Sequence, residues 1–146
     1  MSFLNRNPSW APALALALSL ASGAAVADVV PVVSAKSPVY ALSKNEVIDI
    51  FLGKLNRFPD GEPAVPIDQA EGTEIRDDFY MEYANRSPAQ IKAYWSKIVF
   101  TGEGQPPREV SPSERVKKVL ADHPNFIGYI ERSEVDSKVK IVVLTK

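Results

Sequence analysis

The chain is expected to fold as an α/β domain in which a central mixed sheet is flanked by helices. Three observations point there. Short β-branched or apolar runs alternate with stretches of helical periodicity. Two of the helical stretches open on complete capping boxes, Ser43-Lys44-Asn45-Glu46 and Ser87-Pro88-Ala89-Gln90. Glycine or proline turn signals separate most neighbours. The expected order is strand, helix, strand, three helices and two strands, and strands joined through helices favour a layered sheet.

The elements follow in chain order. Before them, Arg6, an Ala/Leu-rich stretch over 11–26 and the small residues Ala25 and Ala27 form the pattern of a secretory signal peptide, cleaved after Ala27. Pro12, Ser19, Ser22 and Gly23 dilute the stretch below the roughly 20 strongly apolar residues of a membrane span. Val29-Val30-Pro31-Val32-Val33 reads as a strand buried on both faces, and Pro31, having no N–H, puts part of it at an edge. A helix over 44–52 presents Val47, Ile48, Phe51 and Leu52, and Gly53 ends it. Phe58-Pro59-Asp60-Gly61 is a turn and 64–68 a second strand. A helix over 73–83 buries Ile75, Phe79 and Tyr83, and the next buries Ile91, Trp95 and Ile98. Residues 101–107 form a loop, and Ser111-Pro112-Ser113-Glu114 caps a last helix with Val116, Val119 and Leu120 inward and Lys117 and Lys118 in water. Residues 126–130 and 139–143 are the closing strands.

Composition removes several functions. Residues 28–146 suffice for one domain and not two. The net charge is −1 over 146 residues, and since Arg6 is the only charge before residue 28, the remainder is more acidic by one. That balance draws neither nucleic acid nor, once the signal is cleaved, a membrane surface. There is no cysteine, so disulfides, thiolate catalysis, thiolate metal sites and acylation at a lipoprotein-type cut are absent. His123 is the one histidine and is expected at a helix C-terminus, while the carboxylates show no ligand spacing, so no metal and no cofactor are expected. Gly102-x-Gly104 is too short for a nucleotide loop and there is no Gly-x-Ser-x-Gly, so the chain is not expected to be an enzyme.

An ordered set of segments carries a resemblance. Residues 41–54, ALSKNEVIDIFLGK, are similar to the "L-[ST]-x-x-x-[VIL]-x-x-I-F-x-G-K" stretch of the phosphate-binding proteins that serve ABC transporters. Asn125-Phe126-Ile127-Gly128-Tyr129-Ile130 resembles that family's "x-A-I-G-Y-V" strand, and Gly72-Thr73 falls where it has the end of "R-x-D-x-S-G-T". The likeness runs from about Val29 to Val143. It implies a type 2 periplasmic-binding-protein-like fold, and only one three-layer lobe of the two that close on phosphate. The family's serine then falls at Glu71, its aspartate at Gln69 and its arginine at Ile67 or Asp68.

Those replacements weaken the implied site. Gly72 and Thr73 offer amides at a helix start, which suits an anion. Glu71 adds an acceptor-only charge, and the arginine fork is missing. Like charges at about 4 Å repel by roughly 4 kcal/mol near a protein surface, against about 1–2 kcal/mol from one helix end. Phosphate binding is therefore expected to be weak, with Gly72, Thr73 and Arg76 as the ligand-binding residues and Arg76 compensating in part. The competing reading is an ordinary strand-to-helix turn capped by Glu71 or Thr73. Likewise Tyr80, Tyr83, Tyr94 and Trp95 read as core aromatics ahead of a carbohydrate or partner platform.

The function expected is that of a secreted, periplasmic solute-binding-protein-like domain with a degenerate anion site. The alternative is a ligand-free adaptor of the cell envelope. The expected partners are a weakly bound small anion such as phosphate, an envelope protein, or a second copy of the chain, which would rebuild a two-walled site.

Overall fold

The computed structural model describes residues 28–146. The expected signal segment and its cut after Ala27 concern residues outside that range. A five-stranded mixed sheet has the order β4-β3-β5-β1-β6. Its strands are β1 (Val29–Ser34), β3 (Val65–Asp68), β4 (Arg108–Glu109), β5 (Phe126–Glu131) and β6 (Val139–Ile141). β3 runs parallel to β4 and β5, and β1 runs antiparallel to β5 and β6. A separate parallel pair joins β2 (Ala41–Ser43) to β7 (Val143–Thr145). The helices are α1 (Lys44–Phe51), α2 (Glu74–Ala84), α3 (Pro88–Phe100) and α4 (Ser113–Asp122), and a 3-10 turn spans Arg132–Glu134. This is the expected helix-flanked mixed sheet. The three short strands β2, β4 and β7 extend the expected order.

Strand alternation divides the core into two layers. Val29, Val33, Ile127 and Tyr129 face α1, α2 and α3 together with Phe51, Phe79 and Trp95. Val30, Val32, Ile67 and Ile130 face α4 through Val116 and Leu120. Gly128 lies on the α4 side, where a Cβ would stand 3.0 Å from Val116 Cγ1 and 3.3 Å from Ile67 Cγ1, so only glycine lets α4 pack this close. Pro31 behaves as expected: Val29 to Pro31 pair with β5 alone, and β6 joins from Val32 onward. The Pro31 carbonyl still accepts from Val142 N–H at 2.9 Å, and the proline, which has no N–H to return, marks where the ladder on the β6 side stops.

Both complete capping boxes form, at Ser43/Glu46 and Ser87/Gln90, and Gly53 leaves α1 at φ +73°. Three local expectations are corrected. Lys117 is buried, because Nζ lies 2.9 Å from Glu114 Oε2 and 3.0 Å from Asp136 Oδ2, which lets the stem cover the core. The N-cap of α4 is Pro112 without a side-chain bond, since Ser111 Oγ is engaged elsewhere. The run 139–143 divides at Val142, and its last part leaves the main sheet to pair with β2. His123 caps α4 as expected, with Nδ1 2.8 Å from Val119 O and its ring stacked on Phe126. Tyr80, Tyr83 and Trp95 are buried and Tyr94 half-buried, which makes them core. Among the described residues no helix is long and apolar enough to cross a membrane.

Candidate functional site

The most concentrated buried chemistry lies where β3 ends. Asp68 closes that strand, is 1% exposed, and lies behind the start of α2. Its Oδ1 accepts from Gln69 N–H at 2.9 Å and from the Tyr129 hydroxyl. Its Oδ2 accepts from the Tyr80 hydroxyl at 2.6 Å and faces Arg76 Nε at 3.6 Å. Arg76 also reaches Glu109 on β4, Nη1 to Oε1 at 3.3 Å, and its guanidinium lies 5.7 Å from the Tyr80 ring centre. A second tier fixes the strand end. Gln69 Nε2 donates to Ser113 Oγ at 3.0 Å and to the Tyr129 carbonyl at 3.2 Å, while Ala70 N–H donates to Ser111 Oγ at 2.8 Å. Two elements, α2 and β5, thus converge on the carboxylate that β3 carries, and β4 and α4 brace the cluster through Glu109 and Ser113.

The electrostatics follow from burial. Desolvation holds the Asp68 carboxyl above the usual carboxylate range, and the donors from Tyr129 and Tyr80, then the Arg76 charge and Gln69 N–H, draw it part of the way back. Both tyrosine hydroxyls are pushed up, by burial and then by the Asp68 charge, so they stay protonated and donate. Burial alone would lower Arg76, but Asp68 and the other neighbouring groups outweigh it and leave the guanidinium above its ordinary value. Two hydroxyls, an amide and a guanidinium are the donor set an oxyanion asks for. Here the chain's own carboxylate occupies it.

The residues expected to bind lie at the edge of this cluster. Thr73 is the N-cap of α2, yet its hydroxyl turns back to donate to the Ala70 carbonyl at 2.7 Å, and its N–H donates there too at 3.2 Å. Neither Thr73 nor Glu71 makes a side-chain cap bond to the helix. Gly72 holds φ +88°, which the turn requires. The Glu71 side chain is 60% exposed and reaches across to α3, 3.5 Å from Lys92 Nζ. Arg76 is in the cluster, engaged with Asp68 and Glu109.

Asp68, Tyr129, Ser111 and Ser113 join the cluster without being among the residues the sequence marks for binding. The available signals were a carboxylate ending the apolar run Val65-Pro66-Ile67 and a hydroxyl inside the apolar run 126–130. Beside the cluster opens a cavity of about 550 Å³, walled by α2, α3 and the approach to β4. Its lining includes Arg76, Tyr80, Ile91, Trp95, Phe100 and Glu109. The Trp95 indole N–H is buried without a partner, so this side chain packs as hydrocarbon alone. Among the described residues no group of three or more His, Cys, Asp or Glu side chains is placed to hold a metal ion.

No protein-family model matches the chain, and no curated protein matches it by sequence. Solved structures do match. A candidate phosphate ABC transporter substrate-binding protein from Clostridium perfringens, solved with bound phosphate, superposes with a TM-score of 0.63 at 21% identity, covering 80% of this chain and 45% of that one. An ABC-type phosphate transport receptor from Vibrio cholerae gives 0.63 at 15% identity, over 79% and 45% of the two chains. A protein from Planctomyces limnophilus, put forward as a phosphate-binding protein, gives 0.59 at 14% identity, over 82% and 42%. The likeness is one of fold: the chain resembles a single lobe of such proteins and spans less than half the length of each.

Proposed function

We propose that the chain is a non-catalytic binding domain of the solute-binding-protein type, secreted by cleavage after Ala27 to work in the periplasm, with a degenerate anion cradle. The observation that carries this reading is the occupation by Asp68 of the donors that an oxyanion would need. What anion affinity remains belongs to Gly72, Thr73 and Arg76, and it is weak because the Thr73 N–H and the Arg76 guanidinium already have acceptors. An incoming phosphate would have to displace a buried carboxylate that is covalently held in place. Titration calorimetry with phosphate, sulfate and small carboxylates tests this. Phosphate is expected to bind no tighter than about millimolar, which corresponds to roughly −4 kcal/mol. A micromolar dissociation constant overturns the degenerate-site reading.

A second reading, an envelope adaptor, is favoured by one feature. Phe100 at the end of α3 is 92% exposed and adjoins the half-exposed Val99, an apolar patch beside the cavity. Light scattering after size-exclusion chromatography of the secreted form, alone and with envelope extract, tests it. A monomer with no co-eluting partner counts against it.

A further inference from the structure

We propose that the cavity beside the Asp68 cluster binds a small organic cation, a ring-sized apolar body carrying one protonated amine. The inference rests on the reading of the chain as a binding domain and names the class of ligand. The volume, about 550 Å³, lies in the range of small-molecule sites. The body of such a ligand meets Ile91, Trp95 and Phe100, and the rings of Trp95 and Phe100 also favour a nearby positive charge.

Charge decides the rest. The lining holds three carboxylates, Glu71, Asp77 and Glu109, against two cations, Arg76 and Lys92. Both cations are already paired, Arg76 with Asp68 and Glu109, and Lys92 with Glu71. Asp77, half-buried in the first turn of α2, has no cationic partner among the described residues. An entering anion finds no unengaged donor charge and faces a net negative wall. An entering amine finds Asp77 open and Glu109 only half-covered, with 49% of its side chain exposed.

Calorimetric titration of the protein with tryptamine, with its anionic counterpart indole-3-acetate and with inorganic phosphate tests the proposal. Tryptamine is expected to bind at sub-millimolar concentration, and indole-3-acetate at least about tenfold more weakly, the worth of one charge-assisted contact. Asp77→Asn is expected to narrow that preference toward parity, and Glu109→Gln to narrow it less. Circular dichroism shows that each variant is folded. Equal binding of the two indoles, no binding of tryptamine at millimolar concentration, or an unchanged preference in both variants overturns the proposal. Tight phosphate binding in the third arm overturns the degenerate-cradle reading instead, so the two failures are distinguishable.

Discussion

The two faces of the sheet each hold a charged cluster, and the clusters behave in opposite ways. On the α2 side, Asp68 is enclosed by Tyr80, Tyr129 and Arg76, and desolvation raises its pKa despite four donors. On the α4 side, Lys117 bridges Glu114 and Asp136 at the domain's rim. There the hydrogen bonds dominate: Glu114 is lowered mainly by Lys117, and Asp136 by Lys138 N–H and then Lys117. The ingredients are similar, carboxylates and cations within hydrogen-bond reach. The difference is water. A rim carboxylate keeps its hydration and gains a partner, whereas an enclosed one loses more hydration than its partners return.

The severest way to break this contrast is Asp68→Ala. It leaves two buried tyrosine hydroxyls without their acceptor and removes the deepest partner of Arg76. A loss of about 3–5 kcal/mol is expected, as when one member of a buried pair is deleted. Chemical denaturation with urea measures it. A loss under about 1 kcal/mol would mean that the donors find water instead and that the cluster is not closed.

Gly128→Ala attacks the other face through packing rather than charge. The new methyl would stand 3.0 Å from Val116 Cγ1 and 3.3 Å from Ile67 Cγ1, so α4 must move outward. Overpacking of this kind costs about 1–3 kcal/mol. If urea unfolding shows no cost, α4 is free to shift, and Lys117 should then lose its bridge without penalty.

How much of this was legible beforehand depended on sequence distance. The boxes at Ser43/Glu46 and Ser87/Gln90 span three residues and could be read directly, as could the positive φ at Gly53. Lys117 reads as a solvent-facing residue because Glu114, three positions before it, promises only a surface pair, while Asp136, which completes the bridge, is 19 positions away. Ser111 has the right type and spacing for a cap, but a partner 41 residues distant, Ala70 N–H, claims it. The fold class emerged from the ordered motifs, while the site did not. Asp68 and Tyr129 are 61 residues apart, and nothing local to either announces the other. The resemblance points to Glu71 and Gly72-Thr73, whereas the buried carboxylate stands three positions before Glu71.

Lys117→Met gives a smaller effect whose pH dependence separates the clusters. Glu114 and Asp136 have folded pKa values below their ordinary ones, so their contribution is present above the usual carboxylate range and is lost as pH falls through it. Lys117 is raised by the same bonds, so its part holds below the ordinary lysine value and is lost as pH climbs past it. The melting temperature of the wild type should exceed that of Lys117→Met at neutral pH, and the gap should close as pH drops from about 5 toward about 2. Asp68 has the opposite sign: raised in the fold, its contribution is full below the ordinary aspartate value and declines as pH rises through the folded one. Asp68→Asn should therefore remove a loss on the alkaline side of the carboxylate range. If both variants flatten the same limb of the profile, the contrast between the faces is wrong.

The smallest expected effect is the most informative about function. On the proposed reading two features oppose phosphate near α2, the Glu71 charge and the donors taken by Asp68, and they sit in different dielectric settings. Glu71 and Lys92 have side chains 60% and 72% exposed and lie 3.5 Å apart, so solvent and salt screen them, and Glu71→Ser should change stability by less than about 1 kcal/mol. That substitution restores the serine of the resembled motif and deletes the negative charge, yet it leaves the Thr73 N–H on Ala70 and the Arg76 guanidinium on Asp68 and Glu109. The phosphate dissociation constant measured by calorimetry should therefore stay at or above about millimolar. If Glu71→Ser instead yields micromolar binding, the exposed carboxylate is the block, the enclosed one is scaffold, and the anion cradle is intact beneath a single surface charge.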